Sequence, residues 1–418
     1  MNLKRVVVTG LGAVTPIGNT VPSLWDSVVN GRSGAGPITL FDCSKFKTKF
    51  ACEVKDFNPA DHMDPKMVRK MDRFAHFAVA SAGEALRDSG LEVNEENAER
   101  IGSIFGVGIG GLGSMEEEYA YYVNHRDTED PRFGPFYILR MITDMSVGHI
   151  SIMYGLKGPN YVTTSACASS SHALIDAMNN IRLGKADVMV AGGAEAAITI
   201  SGVGGFGSMK AISARNDDPQ HASRPFSKSR DGFVLGEGGA ALVLEEYEHA
   251  VARGAHIYAE LVGEGCCADA HHITAPNPEG AIRVMRLALE DAGLQPEDVD
   301  YINVHGTSTP LGDISEVTAI KEVFGKHAYK LNISSTKSMT GHLLGAAGAL
   351  EAVLSVLSIE KGIVPPTINH ADGDDDEAID YRMNFTFNEP QKRDVKVALS
   401  NTFGFGGHNA TVIFKKLD

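Results

Sequence analysis

The sequence predicts an α/β protein built from two related halves. Short β-branched and apolar runs alternate with helical patterns, an alternation typical of buried strands between helices. A strand-like run lies at residues 5–10, a helical pattern covers 63–89, and further strand-like runs lie at 101–108 and 186–195. Forty-five glycines among 418 residues recur between these segments rather than in tracts. They indicate tight turns and close backbone approaches, not disorder.

Two segments share one order of features, and this repetition predicts the two halves. Residues 163–184 and 333–362 each run from a hydroxyl-rich turn into a helical pattern, and a strand-like run comes later in each case. Hydroxyl-rich turns are suited to N-capping, so we expect both helices to begin at such caps. We expect the halves to be residues 1–255 and 256–418.

The bulk properties exclude several classes of protein. A net charge of −15 argues against general nucleic-acid binding, which requires positive charge against phosphate. No apolar run reaches the roughly 18 residues of a membrane span, so we expect no membrane insertion. The N-terminal apolar run is short and breaks at glycine, which indicates a first strand rather than a signal peptide. Five cysteines, an odd number without disulfide-framework spacing, favour a reducing cytoplasm.

Three motifs suggest ligands that their context does not favour. Residues 106–111 and 202–207 both match G-x-G-x-x-G, but the second strand and acidic residue of a dinucleotide site are missing after Gly111. The doublets in 265–274, GCCADAHHIT, lack the spacing of zinc ligands, and we predict no metal there. The acidic run 371–380 is interpreted as a solvated loop, with a cation site as the minor alternative.

Cys167 is the strongest candidate for a reactive group. It lies among small residues in TTSACASSSHAL, where a strand gives way to a helix. A helix N-terminus stabilises an anion, so we expect the pKa of this thiol to be lowered. The alternative is a small buried cysteine with a purely structural role.

Three further segments supply groups that could act with the thiol. His305 follows an apolar strand, and Lys337 and His342 lie around the start of the second repeated helix. A histidine at a helix N-terminus is shifted toward its neutral form. The turn at 403–406 can direct backbone N–H groups at an oxyanion. Taken singly, each histidine could be structural; together, in a duplicated frame, they favour catalysis.

These segments resemble a known enzyme family. In order, they are similar to the four active-site blocks of β-ketoacyl-acyl-carrier-protein synthases, and the sequence between them is closest to the elongating type II enzymes. The resemblance covers essentially the whole chain. It implies a thiolase-like fold, with two βαβαβ-type halves in a five-layer α/β/α/β/α arrangement, and a homodimer. The four blocks are TSACASSSHAL, VHGTSTPLGD, STKSMTGHLLGAAG and NTFGFGGHN.

The resemblance also implies a role for individual residues. The catalytic set is the acylated nucleophile Cys167, the decarboxylating pair His305 and His342, and the electrostatic support Lys337. The N–H groups of Cys167 and Phe405 match the oxyanion hole, and Phe403 matches the gate on the malonyl side. Supporting positions are Asp313 and Glu351, expected near the histidines, with Thr307 and Thr309. Ile109 and Phe206 fall where the family lines its acyl pocket. His408 stands where many relatives have threonine, and no role is assigned to it.

The resemblance implies decarboxylative condensation of a Cys167-bound acyl group with malonyl-acyl-carrier protein, without a cofactor. The partner is an acidic acyl carrier protein, and DPKMVRKMDR at 64–73 places basic residues at three- and four-residue steps, along one side of a helix. Lys66, Arg69 and Lys70, called the docking cluster below, match the family's carrier-docking helix, and Lys210 lies beside the second contact. Two alternatives stay open: a ketosynthase of a type II polyketide-like system and a non-catalytic chain-length partner subunit. Initiating synthases and thiolases are disfavoured, since the chain has a second histidine and lacks a second cysteine in the 403–409 turn.

Overall fold

Strands and helices alternate along the chain in the computed structural model, which describes residues 3–417. The strands are β1 Val6–Val14, β2 Gly36–Pro37, β3 Phe50–Ala51, β4 Ile101–Gly106, β5 Asn160–Thr163, β6 Val188–Glu195, β7 Gly238–Glu246, β8 Ala259–Ala268, β9 Tyr301–Asn303, β10 Asn332–Ser334, β11 Ile363–Val364, β12 Gln391–Lys392, β13 Val397–Gly404 and β14 His408–Lys415. The α-helices are α1 Val21–Val29, α2 Pro65–Val68, α3 Arg73–Ser89, α4 Leu112–His125, α5 Tyr137–Met141, α6 Met145–Tyr154, α7 Ser169–Arg182, α8 Ile200–Ser208, α9 Tyr247–Ala252, α10 Pro278–Ala292, α11 Pro310–Phe324, α12 Lys337–Thr340 and α13 Ala347–Lys361.

Ten of the strands form one continuous sheet with an internal repeat. Their order is β10-β9-β13-β14-β8-β1-β7-β6-β4-β5. The two halves join where β1 and β8 pair antiparallel, with Val7 opposite Glu260 and Val8 opposite Ala259. In the first half, β5, β4 and β6 run parallel and β7 and β1 antiparallel. In the second half, β10, β9 and β13 run parallel and β14 and β8 antiparallel. The two halves therefore have the same topology.

The two halves of the sheet and three layers of helices together form five layers. Helices α7 and α13 contact strands of both halves and thus lie between them. Helix α3 covers the outer face of the first half together with α6, and α10 covers the second half together with α11. Helix α13 is buried continuously from Ala347 to Ile359, as expected of a helix that is enclosed on all sides. The predicted α/β class, with two related halves in an α/β/α/β/α arrangement, is confirmed.

The helical pattern over 63–89 forms two helices instead of one. Asp64 caps α2 by accepting a hydrogen bond from the Lys66 N–H, and α2 ends after four residues. Asp72 then caps α3 through the Phe74 N–H. Because each aspartate satisfies free N–H groups of a helix start, the chain begins a new helix at α3 rather than continuing the first. Within residues 3–417, no helix combines the length and the apolar composition that crossing a membrane requires.

The candidate functional residues follow the carboxyl ends of parallel strands. Cys167 follows β5, His305 follows β9, and Phe405 follows β13. Crevices at the carboxyl ends of strands are the usual place for ligand sites in α/β proteins. The duplicated sheet thus presents loops of its two halves to one shared site.

Candidate active site

Cys167 lies in a tight, strained turn between β5 and α7. Ala166 has φ of 51°, in the left-handed region that residues with a side chain rarely adopt. Ser169 holds the turn from inside, because its Oγ accepts from the Ser165 N–H at 2.9 Å and donates to the Ala166 carbonyl at 2.7 Å. The Ala168 N–H also donates to the Ser165 carbonyl at 3.1 Å. The turn therefore fixes the direction in which the thiol points.

Two expectations are wrong: that hydroxyl side chains cap α7 and α13, and that the start of α7 lowers the pKa of Cys167. The N-cap of α7 is Ala168 and that of α13 is Ala346, and neither makes a side-chain cap. The hydroxyls before α7 have other partners: Thr163 Oγ1 donates to the Ser169 carbonyl, Thr164 Oγ1 donates to the Val107 carbonyl, and Ser165 Oγ lies 2.6 Å from His172 Nδ1. The thiol of Cys167 is 8% exposed, and burial raises its pKa to about 12, although Lys337 and the Phe405 N–H act to lower it. The site therefore holds a thiol, since desolvation outweighs the helix start.

Two histidines from the second half meet this thiol. His342 Nε2 lies 3.0 Å from Cys167 Sγ, and the His305 and His342 ring centroids are 5.3 Å apart. Burial, followed by the positive charge of Lys337, lowers the pKa of both rings well below the usual value. Both imidazoles are thus neutral. This state was expected from a helix start, but burial is its main cause.

Backbone contacts hold both histidines in place. The His305 and Gly306 N–H groups donate to the buried Glu316 carboxylate at 2.9 and 2.8 Å. The His342 N–H donates to the Val234 carbonyl at 2.8 Å, and the Gly236 N–H donates to the His342 carbonyl at 2.9 Å. Glu316 was missed by the sequence analysis, because its role depends on loop N–H groups that lie eleven and ten residues earlier in the chain.

Lys337 and Glu351 form a buried ion pair behind the histidines. Burial raises the pKa of Glu351 to about 7, while Lys337 lowers it. Lys337 is among the causes that lower the pKa values of Cys167 and both histidines. Neither member of the pair lines the cavity, so their influence on the site is electrostatic.

The end of β13 approaches the nucleophile turn closely enough to form an oxyanion site. A Cβ on Gly404 would lie 2.9 Å from the Ser165 carbonyl oxygen and 3.1 Å from the Cys167 nitrogen, so glycine is needed there. The N–H groups of Phe405 and Cys167 both act on the Cys167 sulfur, lowering its pKa. Two backbone donors, one from each half, thus converge beside the thiol, where they can stabilise a developing oxyanion.

A cavity of about 650 Å³ opens above the thiol and is lined mainly by apolar surface. Its apolar lining includes Phe233 and Leu344 in addition to the predicted pocket residues Ile109 and Phe206. The Phe403 ring centroid lies 5.8 Å from that of His305. Of the residues named from sequence, the lining includes Cys167, His305, His342, Phe403, Phe405, Thr307, Thr309, Ile109, Phe206 and Lys210. Those outside the lining are Lys337, Glu351, Asp313, Lys66, Arg69 and Lys70.

The glycine motif at 106–111 surrounds a carboxylate. The N–H groups of Gly108, Ile109 and Gly110 donate to Glu195 at 2.9, 3.1 and 3.2 Å, and Gly345 adds a fourth at 3.1 Å. Burial raises the pKa of Glu195 to about 7, and these N–H groups lower it. The loop amides that a phosphate would need are therefore already occupied. The second glycine motif, 202–207, lies inside α8 and forms no loop.

Asp313 supports a loop and bonds neither histidine. Its carboxylate accepts from the Phe226 N–H at 2.9 Å and lies 3.4 Å from Arg230. Arg230 donates in turn to the carbonyls of Thr309 and Pro310 at 3.2 and 2.7 Å. Asp313 therefore acts on the segment that follows His305, and its expected place near the histidines stays a prediction.

The acidic run 371–380 is bonded to the protein and is not merely a solvated loop. Asp376 pairs with Arg230 at 2.8 Å, and Asp374 accepts from the backbone and side chain of Ser229. Asp380 pairs with Lys321 at 2.9 Å. These partners come from distant segments, which is why charge pattern alone did not reveal them.

The docking cluster is exposed but does not form a helical stripe. Only Lys66 lies in α2, and Arg69 and Lys70 occupy the turn after it. Arg73 does not add to the exposed positive charge, because it pairs with the buried Glu237 at 2.6 Å. The remaining three cations form a compact exposed group.

One set of residues has the geometry to hold a metal ion. The ligand atoms of Cys167, His305 and His342 all lie within 4.8 Å of one another, and a thiol with two neutral imidazoles is a donor set that zinc accepts. Within residues 3–417, the Cys and His doublets of 265–274 form no such group.

The chain matches known proteins over its whole length. Residues 3–250 match the β-ketoacyl synthase N-terminal domain, and residues 258–371 match the C-terminal domain. It is 51% identical over 415 residues to 3-oxoacyl-(acyl-carrier-protein) synthase 2 of Synechocystis sp., covering 99% of this chain and 98% of that protein. It is 50% identical over 420 residues to the protein of the same name from Coxiella burnetii, covering 100% of both.

Solved structures resemble the chain equally completely. A β-ketoacyl synthase from Burkholderia phymatum superposes with a TM-score of 0.90 at 37% identity, covering 99% of this chain and 100% of that one. A ketosynthase from a type II polyketide system, solved with its acyl carrier protein and bound to the hexaketide, gives a TM-score of 0.90 at 34% identity and covers 100% of both.

Proposed function

The chain belongs to the β-ketoacyl synthase family, and we propose that Cys167 carries the acyl group during its reaction. The enzyme is an acyltransferase of the 3-oxoacyl-acyl-carrier-protein synthase 2 type, and it condenses this acyl group with malonyl-acyl-carrier protein in fatty acid elongation. One observation carries the assignment of the residues. A thiol, two neutral imidazoles and two backbone N–H groups converge at the floor of one cavity.

In the first half-reaction, Cys167 attacks the thioester carbonyl of an acyl-carrier protein. His342 Nε2, 3.0 Å from the sulfur, is in reach of the thiol proton, which finally leaves on the released carrier thiol. The carbonyl oxygen becomes an oxyanion between the N–H groups of Cys167 and Phe405. The acyl chain extends into the apolar part of the cavity, along Ile109 and Phe206.

In the second half-reaction, the malonyl group loses CO₂ and the resulting enolate attacks the acyl-cysteine. His305 and His342 donate hydrogen bonds to the thioester oxygen, which carries the enolate charge. Neither ring has a partner for its Nδ1 among residues 3–417. Once Cys167 is acylated, its sulfur no longer carries a proton that His342 Nε2 could accept. The ring proton can therefore occupy Nε2 in both rings when this oxygen arrives. Lys337 supports the site electrostatically, and Phe403 borders the malonyl side. The site residues themselves supply every group these steps use.

Docking and assembly are further parts of the proposal. We assign the acyl carrier protein contact to the docking cluster and to Lys210, which is exposed at the rim of the cavity. We also propose a homodimer, a cytoplasmic location and a division into residues 1–255 and 256–418. The division is supported by the shared strand order of the two halves, and the location by five free cysteines.

The two alternative functions left open by the sequence would each give a result different from that of a fatty acid elongation enzyme in one assay. A polyketide-type ketosynthase would extend its product repeatedly without reduction, and a chain-length partner would form no acyl-enzyme. The presence of Cys167 and identities near 50% to proteins named 3-oxoacyl-(acyl-carrier-protein) synthase 2 favour a single elongation.

The testing experiment combines the enzyme with acyl- and malonyl-carrier protein and analyses both product and enzyme by mass spectrometry. We expect one β-ketoacyl product, lengthened by two carbons, and an acyl group on the Cys167 peptide. Cys167→Ser should abolish condensation, whereas the control Cys43→Ser should condense normally. Labelling at Cys43, Cys52, Cys266 or Cys267 would contradict the assignment of the nucleophile.

A further inference from the structure

Behind the nucleophile turn, three side chains form a hydrogen-bonded bridge between the two halves. Ser165 Oγ lies 2.6 Å from His172 Nδ1, and His172 Nε2 lies 3.2 Å from Cys266 Sγ. Ser165 belongs to the turn that carries Cys167, His172 to α7, and Cys266 to β8 of the other half.

We propose that His172 is a positioning residue for the oxyanion hole: by joining Ser165 to Cys266, it keeps the Cys167 and Phe405 N–H groups directed at one oxygen. The inference rests on the proposed acylation of Cys167. It assigns a role in the reaction to a histidine that does not line the cavity.

The need for such a bridge follows from where the two donors come from. The Cys167 N–H belongs to the first half, and the Phe405 N–H follows β13 in the second half. An oxyanion is stabilised only when both donors lie about 2.7–3.1 Å from it, so a small shift between the halves weakens one of them.

Cys266 is connected to Phe405 through two pairs of hydrogen-bonded strands. Cys266 pairs with Ala410 of β14, and β14 pairs with β13 up to Gly404 opposite His408. Phe405 follows directly. On the other side, Ser165 lies two residues before Cys167, and its carbonyl accepts the Ala168 N–H. The bridge therefore ties the turn to the sheet that carries the second donor.

The chemistry of a neutral imidazole suits this role. Burial, followed by the charge of His408, lowers the pKa of His172. A neutral ring has one donor and one acceptor nitrogen, and both the hydroxyl and the thiol can take the complementary part. All three groups are thereby satisfied without a buried charge. Because the φ of Ala166 is strained, we expect the turn to relax if this support is lost.

The test compares three variants in two reactions of the same thiol. His172→Phe keeps the ring but loses both hydrogen bonds. His172→Asn places an amide atom near the position of Nδ1 and can retain the contact with Ser165. His249→Asn is the matched control, because His249 is also part-buried and hydrogen-bonded, but its partner is Glu245 at 2.5 Å rather than a residue of the nucleophile turn.

The first reaction is single-turnover acylation of Cys167 by acyl-carrier protein, which uses the oxyanion hole. The second is alkylation of Cys167 by iodoacetamide, followed by peptide mass spectrometry, which does not. We expect His172→Phe to slow acylation about 10–100-fold, below the 10²–10³ loss seen when an oxyanion donor is removed outright. Alkylation should stay within about 3-fold of wild type, because burial and the charge of Lys337 affect the pKa of the thiol more than the two N–H groups do. His172→Asn should recover most of the acylation rate that His172→Phe loses. The KM for acyl-carrier protein should stay unchanged in both variants.

Acylation by His172→Phe at the wild-type rate would overturn the proposal, and so would an equal loss in both reactions. If the Phe variant does not fold, Ser165→Ala removes the same contact with a smaller change and should show the same split between the reactions. Failure of the proposed function is distinguishable, since wild-type enzyme would then carry no acyl group on Cys167.

Discussion

Gly404→Ala is the substitution whose effect on the oxyanion hole can be worked out most directly. The added Cβ would lie 2.9 Å from the Ser165 carbonyl oxygen and 3.1 Å from the Cys167 nitrogen. Non-bonded contacts of this kind need about 3.4 Å, so the end of β13 and the nucleophile turn must separate by roughly 0.3–0.5 Å. The distance from the Phe405 N–H to the oxyanion would then increase from about 2.7–3.1 Å to about 3.0–3.6 Å.

The expected loss in single-turnover acylation by acyl-carrier protein is about 10–100-fold, or about 1.4–2.7 kcal/mol in activation free energy. Iodoacetamide alkylation of Cys167 should change much less, because it forms no oxyanion and because burial and Lys337 affect the pKa of the thiol more than the Phe405 N–H does. Gly205→Ala is the control, since a Cβ there meets no atom within 4 Å. Wild-type acylation by Gly404→Ala, or a matching loss of alkylation, would refute the geometric reasoning.

Four other perturbations test the histidines, the thiol, the metal affinity of the cavity floor and the docking cluster. Replacing His305 or His342 with alanine should leave Cys167 acylation measurable while condensation falls by about 100-fold or more in separate half-reaction assays, and normal condensation by both variants would contradict the mechanism. Because burial raises the pKa of Cys167 to about 12, its iodoacetamide alkylation rate should rise about tenfold per pH unit from pH 7 to 10, whereas a plateau below pH 9 would indicate a stabilised thiolate. Zinc should inhibit the enzyme reversibly, and a chelator should restore its activity. Enzyme that already carries an acyl group on Cys167 should resist zinc; equal inhibition of acylated and free enzyme would place the metal elsewhere. Reversing the docking cluster to glutamate should lower kcat/KM for carrier-bound substrates at low salt but not for small thioester mimics, and equal losses on both would place docking elsewhere.

The sequence predicted the order of elements better than their ends. The strand expected at residues 5–10 continues to Val14 as β1, passing through Gly10 and Gly12. A Cβ at either glycine would lie 2.2 or 2.0 Å from a backbone oxygen of α3, so both glycines allow that helix to pack closely. Local propensity disfavours glycine in a strand, and only the position of the helix explains why the strand continues.

The thiol, the histidines and the glycine turn were predictable because each stands in a local motif. Two of the buried acids were not. Glu195 and Glu316 act by accepting backbone N–H groups from loops that the fold brings to them. The pKa of Cys167 was predicted in the wrong direction for a related reason. The helix start is visible in the sequence, whereas the depth of burial that outweighs it is a property of the assembled halves.

The charge arrangement of the floor suits a reaction in which negative charge moves. A malonyl group enters with its charge on the carboxylate and, after CO₂ leaves, carries it on the thioester oxygen. A free cation beside the carboxylate would stabilise the starting state and slow the reaction, because only interactions stronger in the transition state accelerate it. Lys337 is held by Glu351 outside the cavity lining, so it is not free to bind that carboxylate. In the proposed reaction, the neutral rings of His305 and His342 remain as donors, and their hydrogen bonds to the thioester oxygen strengthen as charge develops on it.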